Sequence, residues 1–142
     1  MNRLEFCNLM EQAKTSSNIP SSEISFSMKM LLPTLRRFEK GEHNFSMTKV
    51  MEYINVLQAN LVICKKSSKK SFTTYEQLIL WLISERKKSF SQRSLAEAVD
   101  MSYVMLARVE SQKSNLTIDV FLKIVDVLGY NIEIKSITAN GE

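Results

Sequence analysis

The stretch SQRSLAEAVDMSYVMLARVE, residues 91–110, decides how this chain folds. Ser91 can cap a short helix, because a serine oxygen accepts hydrogen bonds from the free N–H groups at a helix start. Asp100 suits a tight turn, since aspartate tolerates left-handed backbone geometry better than most residues. Ser102 can cap a further helix over Tyr103–Glu110. The pattern predicts a short helix, a tight turn and a second helix.

Helical and strand patterns flank this stretch. Before it, Tyr75–Lys88 predicts a helix that is apolar around nearly its whole circumference, which indicates burial on more than one side. After it, Thr117–Leu128 places its apolar residues on one stripe and ends at Gly129. Asn131–Ile137 then mixes apolar and polar residues and predicts a short strand.

The same unit occurs earlier in the chain. Residues 90–134 align with residues 19–63 without a gap, at a constant offset of 71, and nine of the 45 pairs are identical. Such self-similarity predicts a first copy of the unit. Its elements are expected as helices near Leu4–Lys14, Ser21–Met28, Leu32–Glu39 and Ser46–Leu57, followed by a strand near Asn60–Cys64.

The repeat predicts the organisation of the chain. A degenerate first unit over 1–64 is followed by a basic linker over 65–72, a second unit over 73–137 and a short tail over 138–142. Units of this size are near the lower limit for an independent core, so each is expected to need its neighbour. The linker contains four lysines, which either remain solvated or contact phosphate.

Composition argues against several classes of protein. With 3 glycines and 2 prolines in 142 residues, helices and short turns are favoured. The two cysteines show no disulfide framework, and the longest apolar run, Leu78–Ile83, is too short to cross a bilayer. We therefore expect a cytoplasmic protein without membrane contact.

The single histidine, His43, has no constellation of cysteines or carboxylates around it, and no glycine-rich phosphate loop is present. Neither an enzyme nor a bound cofactor or metal is expected.

The net charge of +4 is unevenly distributed. Residues 1–71 carry 11 Lys/Arg against 6 Asp/Glu, whereas residues 72–142 carry 8 against 9. A mild positive balance of this kind is compatible with a nucleic-acid partner but does not require one.

Particular positions of the second copy carry a family resemblance. They are Gln92, Leu95, Ala96, Val99, Asp100, Met101, Ser102, Leu106, Arg108, Val109, Glu110, Asn115, Leu122, Leu128 and Gly129. On these residues the copy resembles the Cro/C1-type (Xre) helix-turn-helix family. The first copy resembles it more weakly, through Met30, Leu35, Arg37, Phe38, Glu39, Lys40, Gly41 and Asn44.

The resemblance implies a mainly all-α fold. We expect two lambda-repressor-like helix-turn-helix bundles, each followed by a short β-strand. An isolated strand leaves its backbone groups unpaired, so the two strands are expected to pair into a small antiparallel ribbon. Glu110 and Glu39 resemble the family's buried glutamate, which pairs with a basic residue of the first helix. Arg86 and Lys14 are the candidate partners.

The resemblance also implies where DNA binds. Gln92 starts its helix, where a side-chain amide and free backbone N–H groups can hold a phosphate together. Base reading is expected from the outward side of the recognition helix Tyr103–Glu110, where only Arg108 can make a two-pronged bond to guanine. The candidate DNA-binding residues are Gln92, Arg93, Ser102, Tyr103, Val104, Ala107, Arg108, Lys113, Lys87 and Lys88, with Ser21, Thr34, Arg36 and Arg37 in the first copy.

The first copy departs from the family pattern. Ser21 replaces the glutamine, Leu31 replaces the capping serine, and Pro33 stands in the first turn of the recognition helix. Lys29 occupies a turn position that favours glycine and adds a little strain. This copy is expected to position the protein on DNA more than to read bases.

The expected function is sequence-biased binding of double-stranded DNA by a transcriptional regulator. The chain is expected to act as a single-chain pseudo-dimer, or as a homodimer, with recognition helices over half-sites about 34 Å apart. The alternative is an antitoxin-like or scaffold protein that uses the fold to bind a protein partner, for example one like a toxin. Joint exposure of the apolar residues Tyr103, Val104 and Leu32 would suit this alternative.

Overall fold

The computed structural model describes residues 1–137, and the predicted tail over 138–142 lies outside the described residues. Its helices match those predicted from the sequence to within a few residues at each end. In chain order the elements are α1 (Arg3–Ser17), α2 (Ser21–Met28), α3 (Leu32–Glu39), α4 (Met47–Val56), β1 (Ala59–Lys65), β2 (Ser68–Phe72), α5 (Tyr75–Ser89), α6 (Gln92–Ala98), α7 (Tyr103–Glu110), α8 (Ile118–Val127) and β3 (Asn131–Ser136). Among residues 1–137, none of the helices combines the length and apolarity that a membrane crossing requires.

The helices begin in two different ways. Asn2 starts α1 and Thr74 starts α5 through reciprocal capping boxes, in which each side chain accepts a hydrogen bond from the third helical residue. By contrast, α2 follows Pro20 and α3 follows Leu31, and neither residue supplies a side-chain cap. Pro33 instead sets the backbone angle in the first turn of α3, where its missing N–H has no helical partner.

One hydrophobic core joins the first four helices to the last four. Phe6 of α1 packs edge-on against Phe121 of α8, with ring centroids 6.4 Å apart, and both rings are fully buried. Cys7 is also buried in this core as a free thiol, and burial raises its pKa. Because the core is continuous, the two helical stretches are expected to unfold together.

The loops that precede α4 and α8 are hydrogen-bonded to each other. The Met47 N–H donates to the Leu116 carbonyl at 2.6 Å, and the Ile118 N–H donates to the Phe45 carbonyl at 2.9 Å. Ser46 and Thr117 lie opposite each other between these bonds, as an isolated antiparallel bridge. The loops therefore form a second connection between the helical stretches.

The strands of residues 1–137 form one antiparallel sheet in the order β2-β1-β3. The predicted pairing of β1 with β3 is confirmed, in a register that sets Val62 opposite Glu133. This sheet and the paired loops join the two parts of the chain at separate places.

The predicted two-stranded ribbon and the linker over 65–72 need correction, because residues 68–72 form a third strand, β2. The chain turns at Lys66, which has a φ of 55°, and runs back along β1 until Phe72 lies opposite Leu61. Phe72 is buried, and its ring packs edge-on against Trp81 at 5.6 Å. Residues 68–71 are exposed and bury no face of the strand. The sequence therefore lacks the alternation of apolar and polar residues that usually predicts a strand.

The turn between the second and third helix is left-handed in both parts of the chain. The φ of Asp100 is 58°, and the φ of Lys29 is 53°. Lysine has a Cβ that clashes in this region of backbone angles, whereas glycine adopts the left-handed conformation freely.

We expect Lys29→Gly to raise the free energy of unfolding by about 0.5–1 kcal/mol in urea denaturation. Lys29→Ala removes the same charge but keeps the Cβ, so a gain of equal size from alanine would contradict the strain explanation.

Candidate nucleic-acid interface

A buried ion pair fixes α5 against α7. The Arg86 guanidinium binds both carboxylate oxygens of Glu110, at 2.5 Å from Nε and 3.0 Å from Nη2. Its remaining Nη1 donates to the Phe90 carbonyl at 3.1 Å, just before α6 begins. Arg86 is only 7% exposed, so the pair is shielded from water. The predicted partnership of Arg86 with Glu110 is confirmed, and it joins α5 to α7 beside the start of α6.

Gln92 joins this network instead of pointing wholly outward. Its side-chain amide donates to Glu110 Oε1 at 2.8 Å, and the residue is half-buried at the first position of α6. A primary amide has two N–H donors, so one remains for a phosphate. Gln92 therefore also has a structural role, since it links the start of α6 to the end of α7.

The turn between α6 and α7 is built as predicted. Ala96 is buried, and its carbonyl accepts the Met101 N–H at 2.9 Å, which closes the turn. The Ser102 oxygen caps α7 by accepting the Met105 N–H at 3.0 Å. Ser102 is exposed, but this bond gives its oxygen a structural role.

The outer side of α7 is apolar and open to solvent. Tyr103 is 40% exposed, Val104 64% and Met105 43%, while Ala107 is half-buried. Met105 was not among the residues predicted for this surface. Its exposure depends on the rotation of α7 about its own axis against the core. Because apolar residues occur all round the helix sequence YVMLARVE, the sequence does not show which face is buried.

Arg93 lies against the exposed outer side of α7. Its guanidinium carbon is 4.3 Å from the centre of the Tyr103 ring, within the range of a cation–π interaction. This contact connects the start of α6 to the start of α7 on the exposed side. The structure thus brings together two residues that were predicted as separate DNA contacts.

Arg108 is folded back onto the loop that follows α7. Its Nε donates to the Ser114 oxygen at 3.0 Å, and Nη2 donates to the Lys113 carbonyl at 3.3 Å. A guanidinium has five N–H donors, so some remain available, but a two-pronged bond to guanine requires the side chain to rotate. The Lys113 side chain is exposed beside it.

Comparison with known protein families agrees with this geometry. A helix-turn-helix family model matches residues 83–135, which run from within α5 into β3. This part of the chain is a Cro/C1-type helix-turn-helix domain. Residues 1–82 lie outside the match. No curated protein and no solved structure matches the chain.

Two predicted phosphate contacts lie on α5 of the helix-turn-helix domain. Lys87 is exposed. The Lys88 ammonium is 2.6 Å from Glu85 on its own helix, and Lys88 also lines, with Trp81, a groove between α5 and β2. Lys88 therefore contacts Glu85 and the groove between α5 and β2, and it does not share the contacts of Arg93 and Lys113.

The first part of the chain has a related polar network outside the helix-turn-helix domain. The predicted pairing of Lys14 with Glu39 is confirmed at 3.1 Å, and the same ammonium donates to the Ser21 oxygen at 2.7 Å. The Tyr53 hydroxyl donates to Glu39 at 2.6 Å. Burial, with help from this hydrogen bond, raises the pKa of Tyr53 far above its ordinary value, so the phenol remains a neutral donor. Ser21 is thus an acceptor within the network.

The exposed side of α3 is more cationic than that of α7. Arg36 and Arg37 are exposed, and Arg37 Nη2 donates to the half-buried Thr34 at 3.2 Å. Two large apolar residues are also exposed on α2 and before α3, Phe26 at 84% and Leu31 at 77%. Sequence reasoning did not single out Phe26, because a helical period alone does not show which face is covered.

Proposed function

We propose that the chain binds double-stranded DNA with α7 in the major groove and regulates transcription as a single-chain pseudo-dimer. The observation that carries the proposal is the exposed α7 of a helix-turn-helix domain, held at a set angle by the Arg86–Glu110 pair. Arg93 and Lys113 lie at the exposed start of α6 and just after α7, where cations can contact phosphates. A braced, solvent-exposed recognition helix is what groove insertion requires.

The contacts between the two parts of the chain support the pseudo-dimer. Residues 71 apart are equivalent in the repeat, and two such pairs lie directly opposite each other: Ser46 with Thr117, and Val62 with Glu133. In a two-fold dimer a residue meets its own equivalent only on the symmetry axis. The contacts therefore follow the pattern of a self-complementary dimer interface, realised within one chain.

Backbone conformation supports the repeat independently of residue identity. Left-handed residues recur at the offset of 71 in three pairs: Lys29 with Asp100, Gly41 with Gln112, and Gln58 with Gly129. Left-handed turns at equivalent positions support the proposal that the chain contains two copies of one structural unit. A two-fold arrangement directs α3 and α7 toward successive major grooves, about 34 Å apart.

The salt dependence of duplex binding tests the proposal. The logarithm of the association constant should fall linearly with the logarithm of salt concentration, with a slope of about −0.9 for each phosphate neutralised. The double variant Arg93→Ala, Lys113→Ala should flatten that slope by roughly 2. A matched double variant, Lys123→Ala with Lys135→Ala, removes the same charge at exposed positions on α8 and β3 and should leave the slope unchanged. Equal flattening in both variants would show that binding has no defined cationic face.

The exposed apolar residues support a second candidate function. Phe26, Leu31 and Val104 present large apolar side chains on the parts of the chain predicted to face DNA. Exposed apolar surface of this kind suits a protein partner, as in an antitoxin or a scaffold. If the chain binds no duplex at ~50 mM salt, where electrostatic binding is strong, this second function is preferred.

A further inference from the structure

We infer that the chain binds a non-palindromic DNA site in one fixed orientation, with α7 over one half-site and α3 over a different one. This inference rests on the proposed function and adds to it the symmetry of the DNA target. A dimer of identical chains has two identical recognition surfaces, so its best site is a palindrome. The two helices here belong to one chain and are free to differ.

The charges of the two halves differ at three of four equivalent positions around α3 and α7. Around α3 all four are cations, whereas around α7 the same places hold an anion, an apolar residue, a cation and a neutral residue. The pairs are Lys29 with Asp100, Arg36 with Ala107, Arg37 with Arg108, and Lys40 with Ser111. All but the half-buried Ala107 are exposed. Cations at these places favour contact with the phosphate backbone, which carries no sequence information.

On the recognition helices themselves, the large exposed apolar residues lie on α7, whereas Phe26 and Leu31 of the first half lie outside α3. The outer side of α7 presents Val104 and Met105, and Ala107 stands where α3 has Arg36. Apolar side chains recognise the methyl group of thymine in the major groove, where alanine and similar residues contact it directly. The half-site under α7 should therefore prefer A·T pairs with thymine methyls toward the helix.

The core prevents the halves from acting independently. Phe6 and Phe121 pack in one buried cluster, and β1 pairs with β3 along its length. The two helices therefore keep a constant distance and a constant order on the duplex. Rotation of the protein by 180° on its site would exchange the cationic helix for the apolar one, which makes the two orientations unequal in energy.

Selection from a random duplex pool with the full chain identifies the preferred site. The expected consensus has one half-site rich in A·T pairs and a second, less constrained half-site centred about one DNA turn away. Substitution of a consensus pair in the constrained half should weaken binding at least about fivefold. Substitutions in the other half should have clearly smaller effects. A palindromic consensus would overturn the inference while leaving the proposed function intact.

Site-directed DNA cleavage then tests the orientation. Ser27→Cys and Ala98→Cys introduce thiols at equivalent, exposed positions near the ends of α2 and α6. The native Cys7 and Cys64 are buried, so an iron chelate that reacts with thiols should attach to the introduced cysteine. Each variant should cut the selected duplex at one end only, Ala98→Cys beside the A·T-rich half-site and Ser27→Cys at the opposite end.

The outcomes separate the inference from the proposed function. Cutting at both ends by either variant would mean that the protein binds in two orientations, and would overturn the inference alone. Recovery of no duplex from the pool would overturn the proposed function and the inference with it. The substitution Val104→Ser in the selected complex gives a further check. It replaces an apolar side chain with a neutral polar one, so it should reduce the preference for thymine under α7 without changing the salt slope.

Discussion

Replacing Glu110 with alanine is expected to lower the free energy of unfolding by about 3–5 kcal/mol. The substitution leaves the Arg86 guanidinium without a counter-ion at a place where it is only 7% exposed, and water cannot compensate the loss. It also removes the acceptor of the Gln92 amide. Urea denaturation followed by circular dichroism gives the change directly, provided that the slope of the unfolding curve is unchanged.

Two further variants define the cause of this loss. Glu52 pairs with Lys49 on the surface of α4, so Glu52→Ala should change the stability by no more than about 0.5 kcal/mol. The double variant Arg86→Met, Glu110→Leu replaces the buried charges with apolar side chains and should be more stable than either single variant. If the double variant lost as much stability as the two single variants together, the explanation by an unpaired buried charge would be contradicted.

Replacing Phe121 with alanine is expected to destabilise the protein by about 3–5 kcal/mol. The ring is fully buried, and its edge-on contact with Phe6 joins α8 to α1 across the two parts of the chain. Phe26→Ala is a matched control, because the Phe26 ring is 84% exposed and its loss should change stability by no more than about 0.5 kcal/mol.

The Phe121 variant also tests whether the two parts of the chain unfold together. Wild-type unfolding should give one transition by both circular dichroism and the fluorescence of Trp81, the single tryptophan of the chain. Phe121→Ala should move this one transition to lower urea concentration. Two separate transitions in the wild type would contradict a continuous core and the fixed arrangement of α3 and α7.

Much of the fold was predictable from residue patterns that act over short distances. The helices α6 and α7 follow from serine caps and apolar spacing, and the left-handed turn follows from Asp100. Strand β2 was not predictable in this way. It pairs along β1, and Phe72 is its one buried residue, so its lysine-rich residues resemble an exposed linker.

The candidate site was predictable in part. The ion pairs of Glu110 with Arg86 and of Glu39 with Lys14 agree with the family resemblance. The contacts of Arg108 with the loop after α7 were not foreseen, since they depend on where that loop lies. The exposure of Met105 likewise depends on the rotation of α7 against the core. These two differences bear directly on the proposal that α7 reads bases.

The sequence by itself determined the order of helices, the turn chemistry and the offset of 71 between related residues, because caps, turns and periodicity depend on neighbours along the chain. Only the tertiary structure decided that Ser46 faces Thr117 and Val62 faces Glu133, and that β2 joins the sheet. The first two pairings connect residues that are 71 positions apart in sequence, whereas β2 pairs with the neighbouring β1. Their geometry follows from how one continuous core is packed, which no local pattern specifies.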